Sequence, residues 1–137
     1  MFKNIILLGV IFVLIDSLYL YLMSNKFSNM IKNIQKSDLQ LKLFPTFLCY
    51  LFLLSSLYYF IILKNGSLID SFLLGFFIYG VYETTNSAIF KNYNVILASI
   101  DVIWGGILFA SSYYLYKKIC RVQQSLLLVI TMTLTLF

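Results

Sequence analysis

Four apolar runs, each about as long as a helix that crosses a bilayer, dominate this sequence of 137 residues. They cover approximately residues 5–23, 43–63, 68–90 and 95–116, and about 20 apolar residues are enough to cross a hydrocarbon core of about 30 Å. The chain is 61% apolar, whereas soluble domains run at about 45–50%. The sequence therefore predicts an all-α, polytopic membrane bundle with four transmembrane helices, formed by residues 1–121.

Two further segments flank these runs. Residues 24–42 carry apolar side chains near the helical period and lysines elsewhere, which predicts a short interfacial helix or an ordered loop between the first two spans. The apolar stretch 125–137 is 13 residues long, too short to cross a bilayer upright. We expect residues 122–137 to form an apolar C-terminal tail that lies on the surface or contacts an oligomer, with a tilted fifth span as the alternative.

The net charge of +5 comes from ten Lys and Arg residues spread over short loops. This distribution fits contact with lipid headgroups rather than with nucleic acid. With four spans, five of the ten Lys and Arg residues lie on each side of the membrane, so this count does not fix the orientation. The compact cluster Lys117, Lys118 and Arg121 favours cytoplasmic termini. The short connections predict antiparallel neighbours. A homo-oligomer or a partner membrane protein is expected, since four helices are few for a transport path.

Three of the five acidic residues, Asp16, Glu83 and Asp101, fall inside predicted spans. A carboxylate at the bilayer centre costs at least about 2.5 kcal/mol on insertion scales, so each one indicates a functional site. Their positions along antiparallel helices predict a similar depth, toward the side away from the termini. No Lys or Arg lies well inside a span, so these acids have no evident cationic partner there.

Polar residues at helical spacing accompany the acids. Tyr79, Glu83 and Asn86 share one face of the third span, and Asp101 and Trp104 share one face of the fourth. Tyr82, Thr85 and Asn86 could orient a substrate hydroxyl or phosphate. Gly75 and Gly80 in the third span, and Gly105 and Gly106 in the fourth, would allow close helix approach. The predicted polar pocket comprises Asp16, Tyr79, Tyr82, Glu83, Thr85, Asn86, Asp101 and Trp104.

Several chemical roles for this pocket stay open at the level of sequence. It could hold shared protons, a hard cation such as Mg²⁺ or Ca²⁺ between Asp16, Glu83 and Asp101, or a cationic or lipid head group. The acids could also serve only to fix helix packing through hydrogen bonds. The chain has no histidine and two well-separated cysteines, which argues against triad, zinc and haem chemistry.

These roles correspond to three classes of function. The first is a membrane protein that binds or transports a proton, a cation or a lipid head group. The second is a membrane-embedded lipid-modifying enzyme with a carboxyl group as acid or base, although the sequence has no recognised catalytic motif and suggests no cofactor. The third is an accessory subunit whose acids pair with basic residues of a partner.

Three motifs resemble those of the family called domain of unknown function 2177, a family of predicted multi-pass membrane proteins. The family pattern is Asp-x-x-Trp-Leu in the first helix, Tyr-Gly-x-Tyr-Asp-x-Thr-Asn-x-Ala in the third and Asp-x-x-Trp-Gly in the fourth. This chain has DSLYL from Asp16, YGVYETTNSA from Tyr79 and DVIWG from Asp101. It departs at Tyr19, at Glu83 and in the tail after Arg121. The resemblance spans roughly residues 1–118 and implies the four-helix layout and the acidic site, but no reaction.

Overall fold

The computed structural model describes residues 2–135, and side chains for residues 3–132, as an all-helical protein. Its helices are α1 (Phe2–Gln35), α2 (Leu43–Leu57), α3 (Leu68–Ile89) and α4 (Val95–Thr135), and a π-helical turn, Tyr58–Ile62, extends α2. No strand occurs in this part of the chain. The predicted all-α class is confirmed.

Short connections with turn-forming residues separate the helices. Lys36, Asn65 and Asn92, one in each connection, have positive φ angles of 58°, 51° and 66°, and asparagine tolerates this conformation better than most residues. A capping box begins α3, in which the Asp70 amide donates to Ser67 Oγ and the Ser67 amide donates to the Asp70 carboxylate. The Asn94 side chain accepts hydrogen bonds from two amides of the first turn of α4.

The interfacial segment is not a separate helix, which corrects the prediction from the sequence. Residues 24–35 continue α1 without a break. They contain neither glycine nor proline, and Met30 on their apolar face is buried at 7% exposure. The helix ends only at Gln35, whose side chain donates to the carbonyls of Ser37 and Asp38 in the following connection.

The C-terminal segment is likewise part of a longer helix. The α4 helix continues through residue 122 to Thr135, and at about 1.5 Å per residue its 41 residues are about 60 Å long. A bilayer core is about 30 Å thick, so α4 is long enough to extend well beyond it. The role predicted for residues 122–137 stays a prediction, and residues 136–137 lie outside the described part.

In the described part of the chain, three helical segments are long and apolar enough to cross a membrane: Lys3–Gln35, Leu43–Ile62 and Val95–Met132. The α3 helix is not among them, because its second half carries a run of polar residues from Tyr82 to Ser87. The predicted number of four transmembrane helices therefore stays a proposal.

Large apolar side chains cover the outside of the bundle, as expected for a protein in lipid. Leu43, Ile96 and Phe44 are 78%, 76% and 72% exposed, which would be unfavourable in water over so large a surface. Inside, Phe12 of α1 and Phe109 of α4 are fully buried and pack edge to face, with ring centroids 5.3 Å apart. This core holds α1 against α4.

Glycines allow α3 and α4 to pack closely. A Cβ atom on Gly75 would collide with the carbonyl oxygen of Gly105, and one on Gly105 would collide with the ring of Tyr79. A Cβ on Gly106 would lie 2.6 Å from the ring of Phe72. Gly80 is different, since its nearest neighbour would be Val102 Cγ1 at 3.8 Å. Three of the four glycines that the sequence singled out therefore lie where the helices are closest.

Candidate intramembrane acidic site

Asp16 joins three helices through its carboxylate. It lies on the inner face of α1 and is 5% exposed. The Tyr50 hydroxyl of α2 donates to Oδ2 at 2.6 Å, and Trp104 Nε1 of α4 donates to Oδ1 at 3.1 Å. Each oxygen therefore has a neutral donor from a different helix, which compensates part of the cost of burying the carboxylate.

Asp101 of α4 is bound by a tyrosine of α1. Its exposure is 8%, and the Tyr19 hydroxyl donates to Oδ1 at 2.9 Å. Tyr19 lies three residues after Asp16, on the same face of α1. Its ring stacks on Trp104, with centroids 4.2 Å apart and planes inclined by 9°. The stacked pair therefore connects Asp16 and Asp101.

Glu83 of α3 is bound from the α3–α4 connection. It is 3% exposed, and the Tyr93 hydroxyl donates to Oε2 at 2.7 Å. Asn86 Nδ2 donates to the Tyr93 oxygen over a longer distance of 3.5 Å. Burial and then the hydrogen bond to Glu83 raise the pKa of Tyr93, which lies outside the spanning segments. The hydroxyl is therefore a neutral donor.

Glu83 and Asp101 lie next to each other across α3 and α4. Asp101 interacts electrostatically with both Glu83 and Asp16. Two neighbouring carboxyl groups can form a hydrogen bond to each other only if one carries a proton, because an ionised carboxylate is acceptor only. Among the described residues, the only Lys or Arg in an ion pair is Lys32, bound to Asp38 in the first connection. We call Asp16, Glu83 and Asp101 the acidic cluster.

The structure brings most of the predicted pocket residues together, but not all of them. Tyr79 of α3 is half-buried and interacts electrostatically with Asp16 and Asp101. Tyr82 and Thr85, by contrast, lie on the outer face of α3, and Tyr82 is 61% exposed. They are therefore poorly placed to orient a substrate at the cluster.

Three tyrosines of the site were absent from the predicted set: Tyr19, Tyr50 and Tyr93. The spacing of Tyr19 from Asp16 could have identified it. No sequence pattern indicates Tyr50 or Tyr93, because each reaches its carboxylate from another element of the chain.

The acidic cluster does not have the arrangement of a metal site. Among the described residues, no three His, Cys, Asp or Glu side chains converge closely enough to hold a metal ion. The oxygens of Asp16 accept hydrogen bonds from tyrosine and tryptophan instead. Mg²⁺ and Ca²⁺ require about six or more oxygen ligands. The geometry therefore gives no support to the predicted alternative of a hard cation between Asp16, Glu83 and Asp101.

A polar cleft opens at the end of the bundle nearest to Asp101. Its volume is about 440 Å³. Leu97, one of its lining residues, precedes Asp101 by one helical turn. The polar residues that line this cleft are Lys26, Asn29, Asn33, Asn92 and Asn94. We call it the asparagine cleft.

Residues 1–115 match the model of the DUF2177 family, which is described as a predicted membrane protein. The chain belongs to the DUF2177 family. The resemblance seen in the three motifs is thus confirmed, and the matched region contains the whole acidic cluster together with Tyr93 and Trp104. Family membership and the three candidate spans identify a multi-pass membrane protein. Searches of curated proteins and of solved structures give no match.

Proposed function

We propose that this protein binds a proton within the membrane, at the Glu83–Asp101 pair, and that all four helices span the bilayer. The observation that carries the proposal is a pair of buried carboxyl groups that interact electrostatically and whose hydrogen-bond donors are neutral tyrosines. Like charges in one low-dielectric site cannot both ionise. A shared proton removes one charge and supplies the missing donor.

A proton fits this site better than the other ligands considered from the sequence. A lipid head group needs an open site, whereas the three acids are only 3–8% exposed. Ion pairing with a partner subunit needs accessible carboxylates, and these are enclosed by their own chain. An enzyme reaction on lipid is not favoured by any observation, since Tyr82 and Thr85 lie on the outer face.

The asparagine cleft would give protons access to the pair from one side of the membrane. It is lined by amide groups that can hold water, and it reaches the turn of α4 directly before Asp101. Tyr93, which donates to Glu83, lies in the chain between the lining residues Asn92 and Asn94. Acidic residues inside the membrane are typical of the proton relays of pumps and transporters.

Infrared spectroscopy of the protein in lipid nanodiscs tests the proposal. A protonated carboxyl group has its own C=O stretching band, and we expect this band to persist at neutral pH. Glu83→Gln and Asp101→Asn should each abolish it, because the new amide donates to the remaining carboxylate as the shared proton did. Asp38→Asn is the matched control, since Asp38 is exposed and paired with Lys32.

Two results would overturn the proposal. One is a wild-type spectrum with no protonated carboxyl band at neutral pH. The other is a band that survives in both Glu83→Gln and Asp101→Asn while both variants stay folded. The acids would then act only in helix packing.

A further inference from the structure

A basic groove lies at the end of the bundle opposite the asparagine cleft. It forms where the last turns of the fourth apolar run pass the start of α3, and its volume is about 450 Å³. The residues on which its chemistry depends are Leu68, Tyr113, Tyr114, Lys117, Lys118 and Arg121. This groove is separate from the acidic cluster, and its function does not depend on that of the cluster.

The cations of the groove have no anionic partner among the described residues. The only ion pair among the described residues is Lys32–Asp38, which lies in the first connection and not in the groove. The carboxylate of Asp70, in the first turn of α3, accepts a hydrogen bond from the Ser67 amide. Lys117 and Arg121 lie four residues apart on one face of α4, where like charges repel each other. An anion bound between them would remove this repulsion.

The walls of the groove are fixed and partly apolar. The Tyr113 hydroxyl donates to the carbonyl oxygen of Gly66 at 2.5 Å, and Lys117 Nζ lies 5.5 Å from the centre of the Tyr113 ring. Tyr114 and Leu68 are 55% and 47% exposed beside the cations. Tyrosines followed by basic residues mark the level of the lipid head groups at the end of a span. The groove therefore combines positive charge with an apolar flank.

We propose that this groove binds the phosphate group of an anionic phospholipid. Lys117, Lys118 and Arg121 provide the positive charge, and Arg121 can donate two parallel hydrogen bonds to phosphate oxygens. The exposed Tyr114 and Leu68 pack against the acyl chains of the same lipid. A soluble phosphate compound shares the charge but gains nothing from this apolar flank.

Native mass spectrometry of the full chain, released from detergent with added lipid, tests the site. We expect phosphatidylglycerol to bind more tightly than phosphatidylcholine, which carries the same phosphate but no net charge. Each cation near an anionic lipid contributes about a fivefold factor, so Lys117→Gln/Lys118→Gln/Arg121→Gln should weaken phosphatidylglycerol binding about a hundredfold. Lys36→Gln/Lys42→Gln/Lys91→Gln removes the same charge at the other end and should bind as the wild type does.

A charge-preserving variant separates the role of charge from that of folding. Lys117→Arg/Lys118→Arg/Arg121→Lys should retain phosphatidylglycerol binding. A loss of this binding in the charge-preserving variant would overturn the proposal. Equal binding of the two lipids by the wild type, or equal weakening by both glutamine triples, would also overturn it. Displacement of the lipid by an equal concentration of inorganic phosphate would show that a soluble phosphate is the ligand instead.

Discussion

Tyr19 and Trp104 stack face to face across α1 and α4, with their ring centroids 4.2 Å apart. Each ring also donates a hydrogen bond to a carboxylate on the other helix, Tyr19 to Asp101 and Trp104 to Asp16. The two contacts are reciprocal, so either helix supplies both an acid and a donor. The aromatic pair therefore fixes the relative position of two members of the acidic cluster.

Tyr19→Phe should keep this stacking and remove only the donor to Asp101. A hydrogen bond to a charged group contributes about 1.5–3 kcal/mol, and a buried acceptor left without its partner is costly. We expect the free energy of unfolding in detergent micelles to fall by about 2 kcal/mol. Tyr21→Phe is the matched control, because Tyr21 is 77% exposed on the same helix, and it should leave stability unchanged. An equal loss in both variants would contradict the assigned role.

Tyr93 should stay un-ionised at alkaline pH at which an exposed tyrosine has lost its proton. Its pKa is raised in the folded state by burial and by the hydrogen bond to Glu83, above an ordinary value of about 10. Stabilisation by Tyr93 is therefore fully present below pH about 10, and it is lost as pH rises toward the folded-state pKa. The ultraviolet absorbance titration of wild type minus Tyr93→Phe measures this directly. A difference curve with an ordinary tyrosine midpoint would contradict the prediction.

The sequence indicates the acids of this site but not the contacts that hold them. Asp16, Glu83 and Asp101 stand out because charges are rare within apolar runs, and helical spacing adds Trp104 and Asn86. Tyr50 and Tyr93 reach the site from α2 and from a loop, and no periodicity within one helix encodes contacts between elements. Spacing also suggested Thr85 and Tyr82, which the rotation of α3 places outside.

The ends of the helices were harder to predict from the sequence than the presence of the helices. A change from apolar to amphipathic sequence near residue 24 suggested a new element, but a helix ends only where the backbone must leave the helical conformation. That point is Lys36, with its positive φ angle. The same reasoning applies to α4, whose basic residues after Tyr116 change the environment of the helix and not its backbone.

Gly105→Ala should destabilise the packing of α3 against α4. The added methyl group would collide with the Tyr79 ring, and overpacking of this kind costs about 1–3 kcal/mol. Gly80→Ala makes a matched comparison, because its methyl group would lie 3.8 Å from Val102 and alanine favours helix by about 0.5–1 kcal/mol. Unfolding in detergent micelles should show opposite signs for the two variants. A Gly105→Ala protein as stable as Gly80→Ala would argue against the close approach.

Asn33→Leu should slow the exchange of protons at the Glu83–Asp101 pair. Asn33 lines the asparagine cleft, and a branched apolar side chain there would displace water from the proposed access path. Asn25→Leu is the control, because Asn25 is exposed on the same helix and is not among the lining residues. After transfer into heavy water, the protonated carboxyl band of Asn33→Leu should shift several-fold more slowly than that of the wild type. The band of Asn25→Leu should shift at the wild-type rate. Exchange at the wild-type rate in both variants would mean that protons reach the pair by another route, while the proton-binding pair itself would stand.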